Sequence, residues 1–135
     1  MAFWLFKSEP DTWSWDQQKA AGAQEWDGVR NYQARNHMRS MAVGDRGFFY
    51  HSGAEKRIVG VVEVAAAAHP DSTDDSGVWD CVDLKAVQDL PRPVTLSEAK
   101  AEPRLKAMAL VANSRMSVQP VTDEEWAIVR EMGGL

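Results

Sequence analysis

The sequence predicts a single α+β domain over residues 1–135, with helices packed on a small closed β-barrel. Three observations lead there. A length of 135 residues is one domain's worth of chain. The central segments carry apolar side chains on both parities, the pattern of strands with no wet face. Helix signals bracket them: Ser14-Trp15-Asp16-Gln17 and Thr122-Asp123-Glu124-Glu125 each fit a capping box.

The elements follow in order. Residues 2–7 are a short aromatic-rich apolar run, the composition of a buried strand, which Pro10 stops. The first capping box opens a helix over 13–21, closed by Gly22. A loop with Trp26, Asp27 and Gly28 leads to a second helix over 31–41, ended by Gly44-Asp45. On it Ala34, His37, Met38 and Met41 share one face, and Arg35 and Arg39 another. Phe48 and Tyr50 then point one way, Phe49 and His51 the other. The valines of 57–66 also fall on both parities, and Gly60 among them marks a bulge or a close backbone approach. Residues 69–77 are a loop of turn formers, and 78–88 a further strand. A short helix opens at Thr95 or Ser97, another runs over 103–110, and a strand over 115–119 returns to the sheet. The second capping box opens a C-terminal helix closed by Gly133.

Composition narrows the function. Hydrophobic residues at 44% and charged residues at 26% are ordinary globular values. A net charge of −5 disfavours gripping nucleic acid by bulk phosphate neutralisation. The lone cysteine, Cys81, excludes an intramolecular disulfide and a cysteine-based zinc site, and reads as a cytosolic, cytoplasmic protein. No stretch approaches the roughly 18 consecutive apolar residues of a membrane span, and the first residues lack the basic region of a signal peptide. The unusual number is six tryptophans against four phenylalanines and two tyrosines. Trp4, Trp79 and Trp126 sit in apolar patterns and are expected in the core, while Trp13 and Trp15 flank a helix start.

Charge is unevenly spread along the chain. Between Gly28 and Arg57 six basic residues (Arg30, Arg35, Arg39, Arg46, Lys56, Arg57) face two acidic ones (Asp45, Glu55), a local excess of four. Arginine in preference to lysine suits a planar or phosphate-bearing partner, because guanidinium pairs bidentately and stacks. Solvated helix-face charges are the other reading.

The segment from Trp26 to Asn36 is the densest polar-aromatic cluster. Gly28 permits a turn, and a helix starting near Asn31 aims its free N–H groups into it. Trp26 either stacks on a bound ring or plugs a barrel end. Asn31 and Gln33 carry amides that can read a base edge. Lys7, Ser8 and Glu9 leave the first strand together, as rim groups, as strand-end solvation or as catalytic groups. Tyr50-His51-Ser52-Gly53 ends the next strand in the same way. The histidines His37, His51 and His69 lack the spacing of a metal site. Neither a nucleophile elbow nor a glycine-rich phosphate loop is present.

Phe3-Trp4-Leu5-Phe6-Lys7-Ser8-Glu9-Pro10, the stretch from Trp26 to Asn36, Gly44-Asp45 with Phe48-Phe49-Tyr50-His51-Ser52, and Ser114-Arg115-Met116-Ser117-Val118-Gln119-Pro120-Val121 together resemble the EVE domain family. The resemblance runs from Phe3 to Gly133. It departs at Ser72, where the family tends to a second proline, and at Met116, where leucine is usual; neither removes a polar group from the site. It implies a mostly closed, PUA-like barrel related to YTH domains, and a pocket for one extruded, modified base of DNA or RNA, such as 5-methylcytosine or 5-hydroxymethylcytosine. Trp26 is then a cage wall and Asn31 an edge-reading amide. Lys7, Ser8 and Glu9 form the rim, with His51 and Ser52 at the neighbouring strand end. Arg30, Arg35 and Arg115 become phosphate contacts. No cofactor, metal or membrane is expected, and a monomer is. Two other functions stay open. One is an amidohydrolase-like enzyme on modified nucleosides, with Lys7 activating a nucleophile and Ser8 and Glu9 moving protons. The other is a small-molecule binding module with a basic rim.

Overall fold

A computed structural model describes residues 1–112 and 115–135. Ser114, the first residue of the last family motif, lies outside the described residues. The strands are β1 (Phe3–Ser8), β2 (Gln24–Glu25), β3 (Arg46–His51), β4 (Arg57–Pro70), β5 (Asp80–Thr95) and β6 (Val118–Val121). They form one mixed sheet in the order β2-β5-β4-β3-β1-β6, in which β1 and β3 are parallel and the other pairs antiparallel. The helices are α1 (Trp15–Ala21), α2 (Tyr32–Ser40), α3 (Leu96–Ala101), α4 (Ala109–Ala112) and α5 (Asp123–Met132), with a 3-10 turn at Pro103–Leu105.

The expected barrel is replaced by an open sheet, whose edge strands β2 and β6 do not pair with each other. The two-faced apolar pattern is real but has another cause. On one side of the sheet Trp4, Phe6, Phe49, Val62 and Val64 pack with Trp15 of α1 and Ala34 and Met38 of α2. On the other, Leu5, Phe48, Tyr50 and Val61 pack with Ala99 of α3, Leu110 of α4 and Trp126, Ile128 and Val129 of α5. A strand apolar on both faces needs cover on both, and helices on two sides of an open sheet supply it as well as barrel closure does.

Local signals fared better. Ser14, Thr95 and Thr122 cap α1, α3 and α5 in reciprocal capping boxes. Gly60 serves both expected purposes: the β3–β4 and β4–β5 registers shift there, and a Cβ at this position would lie 2.2 Å from the Trp15 ring. Trp15 therefore packs directly on the β4 backbone at Gly60, with its indole N–H donating to Asp89 Oδ1 at 2.6 Å. The helix expected over 103–110 is broken into the 3-10 turn and α4.

Candidate functional site

A cavity of about 460 Å³ opens where β1 ends, within the range of small-ligand sites. Its wall combines the β1 tip (Lys7, Ser8, Glu9), Thr12 and Trp13 before α1, β2 with Trp26, Asp27, Gly28, Val29 and Arg30, and Ser117 before β6. Of the sequence-derived site residues, the fold brings together Lys7, Ser8, Glu9, Trp26 and Arg30.

Trp26 belongs both to the core and to the cavity. Its backbone N–H donates to Val82 at 2.9 Å, which prolongs the β2–β5 pairing. Its ring is only 7% exposed and meets Phe6 and Phe49 edge-on, at 5.6 Å to each centroid. The indole is thus fixed before any ligand arrives. Trp13 adds a second aromatic wall, although the sequence marked it only as flanking a helix. Its Nε1 donates to Gln18 Oε1 at 3.0 Å, and the fully buried Gln18 donates in turn to the Leu84 carbonyl at 3.0 Å. Gly28 takes φ +77, the turn expected of it.

The polar lining has distinct states. Ser8 Oγ donates to the Trp13 carbonyl at 2.5 Å. Burial pushes the half-buried Lys7 amine below the ordinary lysine value, and its Nζ lies 5.6 Å from the centre of the Tyr50 ring. Burial, then the nearby Asp71 and Glu25 carboxylates, raise Asp27 above the usual carboxylate value. Asp71 itself is 2% exposed. Burial pushes its pKa up, but hydrogen bonds from the Thr73 hydroxyl and amide, the Gly28 amide and Arg30 outweigh that and hold it low. Through the Gly28 amide at 2.9 Å and Arg30 Nη1 at 3.2 Å, Asp71 fastens the cavity loop to the 71–79 turn.

The remaining candidates lie elsewhere. Asn31 caps α2, its Oδ1 accepting from the Ala34 amide at 2.9 Å, and is not part of the cavity wall. Arg35 donates to the Val78 carbonyl at 3.0 Å beside the rings of Tyr32 and Trp79. Arg115 is exposed and is likewise absent from the wall. His51 lines a second depression with Trp15, Glu55 and Arg57. Its Nε2 accepts from the Trp15 amide at 3.0 Å, so its Nδ1 carries the proton and donates to Glu55 at 3.0 Å. Ser52 donates its amide to the Ser8 carbonyl at 2.9 Å, tying the β3 end to the β1 end.

Two further expectations are corrected. The basic run between Gly28 and Arg57 is not a free patch, because Arg30 pairs with Asp71, Arg39 with Asp80, Arg46 with Glu63 and Arg57 with Glu55. Trp79 is half-buried rather than core, since it sits in the turn that leads into β5 and stacks on the exposed Tyr32.

Sequence spacing also missed a grouping of Glu25, His69 and Cys81, whose ligand atoms lie within 4.8 Å of one another. These groups bond to protein instead. Glu25 Oε1 accepts from the Ser72 amide and the Cys81 thiol, and His69 engages Asp83 and the Pro70 carbonyl. Burial, then the Glu25 carboxylate, keep the Cys81 thiol protonated. This cluster locks short β2 onto its neighbours.

A model of the EVE domain matches residues 2–132. Human thymocyte nuclear protein 1 is 36% identical over 93% of this chain and 71% of its own length. The crystal structure of protein Atu2648 from Agrobacterium tumefaciens is similar at 57% identity and a TM-score of 0.98, covering 100% of this chain and 94% of that one. The structure of human THYN1 in complex with 5-methylcytosine-containing DNA is similar at 33% identity and a TM-score of 0.92, over 100% and 99% of the two chains.

Proposed function

Because the chain belongs to the EVE domain family, we propose that it reads a modified base, 5-methylcytosine the first candidate, by taking one nucleotide of DNA or RNA into the cavity between Trp13 and Trp26. The observation that carries this reading is the cavity itself, a space of small-ligand size with two fixed indoles in its wall and acidic side chains at its rim. The likeness to THYN1 bound to 5-methylcytosine DNA supports it over the whole chain.

The chemistry suits cytosine. Aromatic stacking contributes roughly 1–3 kcal/mol per base, comparable with the few kcal/mol that unstacking costs. Neither Glu9 nor Asp27 has a side-chain hydrogen-bond partner among the described residues, so their carboxylates are available to accept from the cytosine N4 amino group. Burying one methyl group adds only about 0.8 kcal/mol, so methyl recognition needs a wall that excludes water around it. Trp26, immobile on Phe6 and Phe49, provides one.

Binding rather than catalysis is the proposed activity. Ser8 gives its proton to a backbone carbonyl instead of to a base, which speaks against its acting as a nucleophile.

The test is an array of single- and double-stranded oligonucleotides carrying cytosine, 5-methylcytosine, 5-hydroxymethylcytosine or N6-methyladenine, as DNA and as RNA, read with the wild type and with Trp26→Phe. A preference for one modified base that weakens in the variant is expected. Equal affinity for every modification would overturn the reading, as would mass-spectrometric detection of product from a modified nucleoside.

A further inference from the structure

Beside the cavity, on the outer surface, lies an aromatic stack that the reading above does not use. Tyr32, the first residue of α2, is 61% exposed yet stacks on Trp79 at 4.8 Å between centroids and 29° between planes. Two guanidiniums border it: Arg35 lies 4.9 Å from the Tyr32 centroid and 5.7 Å from that of Trp79, and Arg30 lies 5.6 Å from Trp79.

The stack is held as firmly as the cavity. The Trp79 amide donates to Asp74 Oδ2 at 3.1 Å, and its carbonyl accepts from the Asp71 amide at 3.0 Å. Arg35 donates to the Val78 carbonyl, which pins α2 to the same turn. Arg30 belongs to both places, lining the cavity on one side and lying over Trp79 on the other, with Asp71 fixing it between them. The cavity and the stack are therefore two faces of one rigid unit.

We propose that the Tyr32–Trp79 stack is a second nucleotide site, on which the base next to the one held in the cavity stacks. An exposed ring bordered by Arg35, which has no carboxylate partner among the described residues, offers what an unpaired nucleotide needs, a π-face for the base and positive charge for its phosphate. Arg30 stands where the strand would pass from cavity to stack. This inference rests on the modified-base reading, because the cavity sets which nucleotide is the neighbour.

The experiment measures affinity for a short single-stranded oligodeoxynucleotide with a central 5-methylcytosine, and for versions with an abasic site on its 5′ or its 3′ side. Unmethylated counterparts run in parallel. Wild type, Tyr32→Ala and Tyr32→Phe are compared. The expected result is a loss of about tenfold when one of the two flanks is abasic, the same loss in Tyr32→Ala with the intact flank, and no further loss when both changes are combined. Tyr32→Phe restores wild-type behaviour. If neither abasic flank weakens the wild type, or if Tyr32→Ala costs the same with and without the flanking base, the second site is overturned. Methyl preference is a separate readout: flank dependence without it keeps the stack and removes the cavity reading, and methyl preference without flank dependence does the reverse.

Discussion

Two depressions draw on the segment that joins β1 to α1, and both contain a tryptophan, carboxylates and a basic group. In the smaller one the polar groups satisfy one another. His51 accepts from the Trp15 amide and donates to Glu55, Glu55 accepts from Arg57, and the Trp15 indole donates to Asp89. In the larger one Trp26 and Trp13 are anchored from behind, while Glu9 and Asp27 keep unpaired carboxylates among the described residues. A structural knot and a binding site differ in how far their polar groups are satisfied. A group saturated within the protein holds the fold together, whereas one held in place but left unsaturated has capacity for a ligand.

The tryptophans separate the two depressions most sharply. Trp26→Ala removes both a cavity wall and a core ring, so it abolishes base binding and costs about 3–5 kcal/mol in denaturant unfolding. Trp26→Phe keeps the fold and weakens the modified base several-fold. Trp15→Phe does the opposite: it loses the bond to Asp89, costs about 1–3 kcal/mol of stability, and leaves base affinity at the wild-type level.

Asp71 comes next, with about 1–3 kcal/mol expected from Asp71→Asn, because the Gly28 amide and Arg30 lose a buried charged acceptor. Its folded pKa lies below the ordinary carboxylate value, so the stability it lends is complete above that value. That contribution drains away as the pH falls through the depressed one. Urea midpoints measured from neutral pH downward should show this acid-side decline in the wild type and a shallower one in Asp71→Asn.

Asp27→Asn separates affinity from stability. If Asp27 accepts from the base, the variant binds 5-methylcytosine about tenfold more weakly. Its melting temperature stays level or rises slightly, since the burial of a charge and the repulsion from Asp71 and Glu25, which together raise the Asp27 pKa, are both relieved. In the wild type, affinity falls on acidification through that raised value, and the variant shows no such step. The smallest effect belongs to His51→Gln, about 1 kcal/mol of stability through the Trp15 amide and Glu55, with base affinity unmoved.

How much of this was legible depends on the range of the interaction. Capping boxes act over three residues, and Ser14, Thr95 and Thr122 all cap as or near where expected. Gly60 could be read because a glycine inside a valine run has few other reasons to be there. Closure was not legible, because apolar residues on both parities report that both strand faces are covered and not by what. Nor was the charge pattern: Arg30 and Arg39 find Asp71 and Asp80, each 41 residues away, so an excess along the chain is no patch in space. Trp26, Lys7 and Glu9 could be grouped at one cavity from the sequence, whereas Trp13 and Glu25 needed the pairing of β2 with β5 and the Gln18 relay. Asp27 carries no such signal in the sequence, since an aspartate before a glycine is most often only a turn former.

The backbone amide and indole resonances of the protein are followed by heteronuclear NMR while a short single-stranded oligonucleotide with one 5-methylcytosine is titrated in. The largest shifts are expected on the Trp13 and Trp26 indoles and the Lys7, Asp27 and Gly28 amides, larger than with unmodified cytosine. Shifts centred instead on Trp15, His51 and Glu55, or equal shifts for both bases, would contradict the modified-base reading.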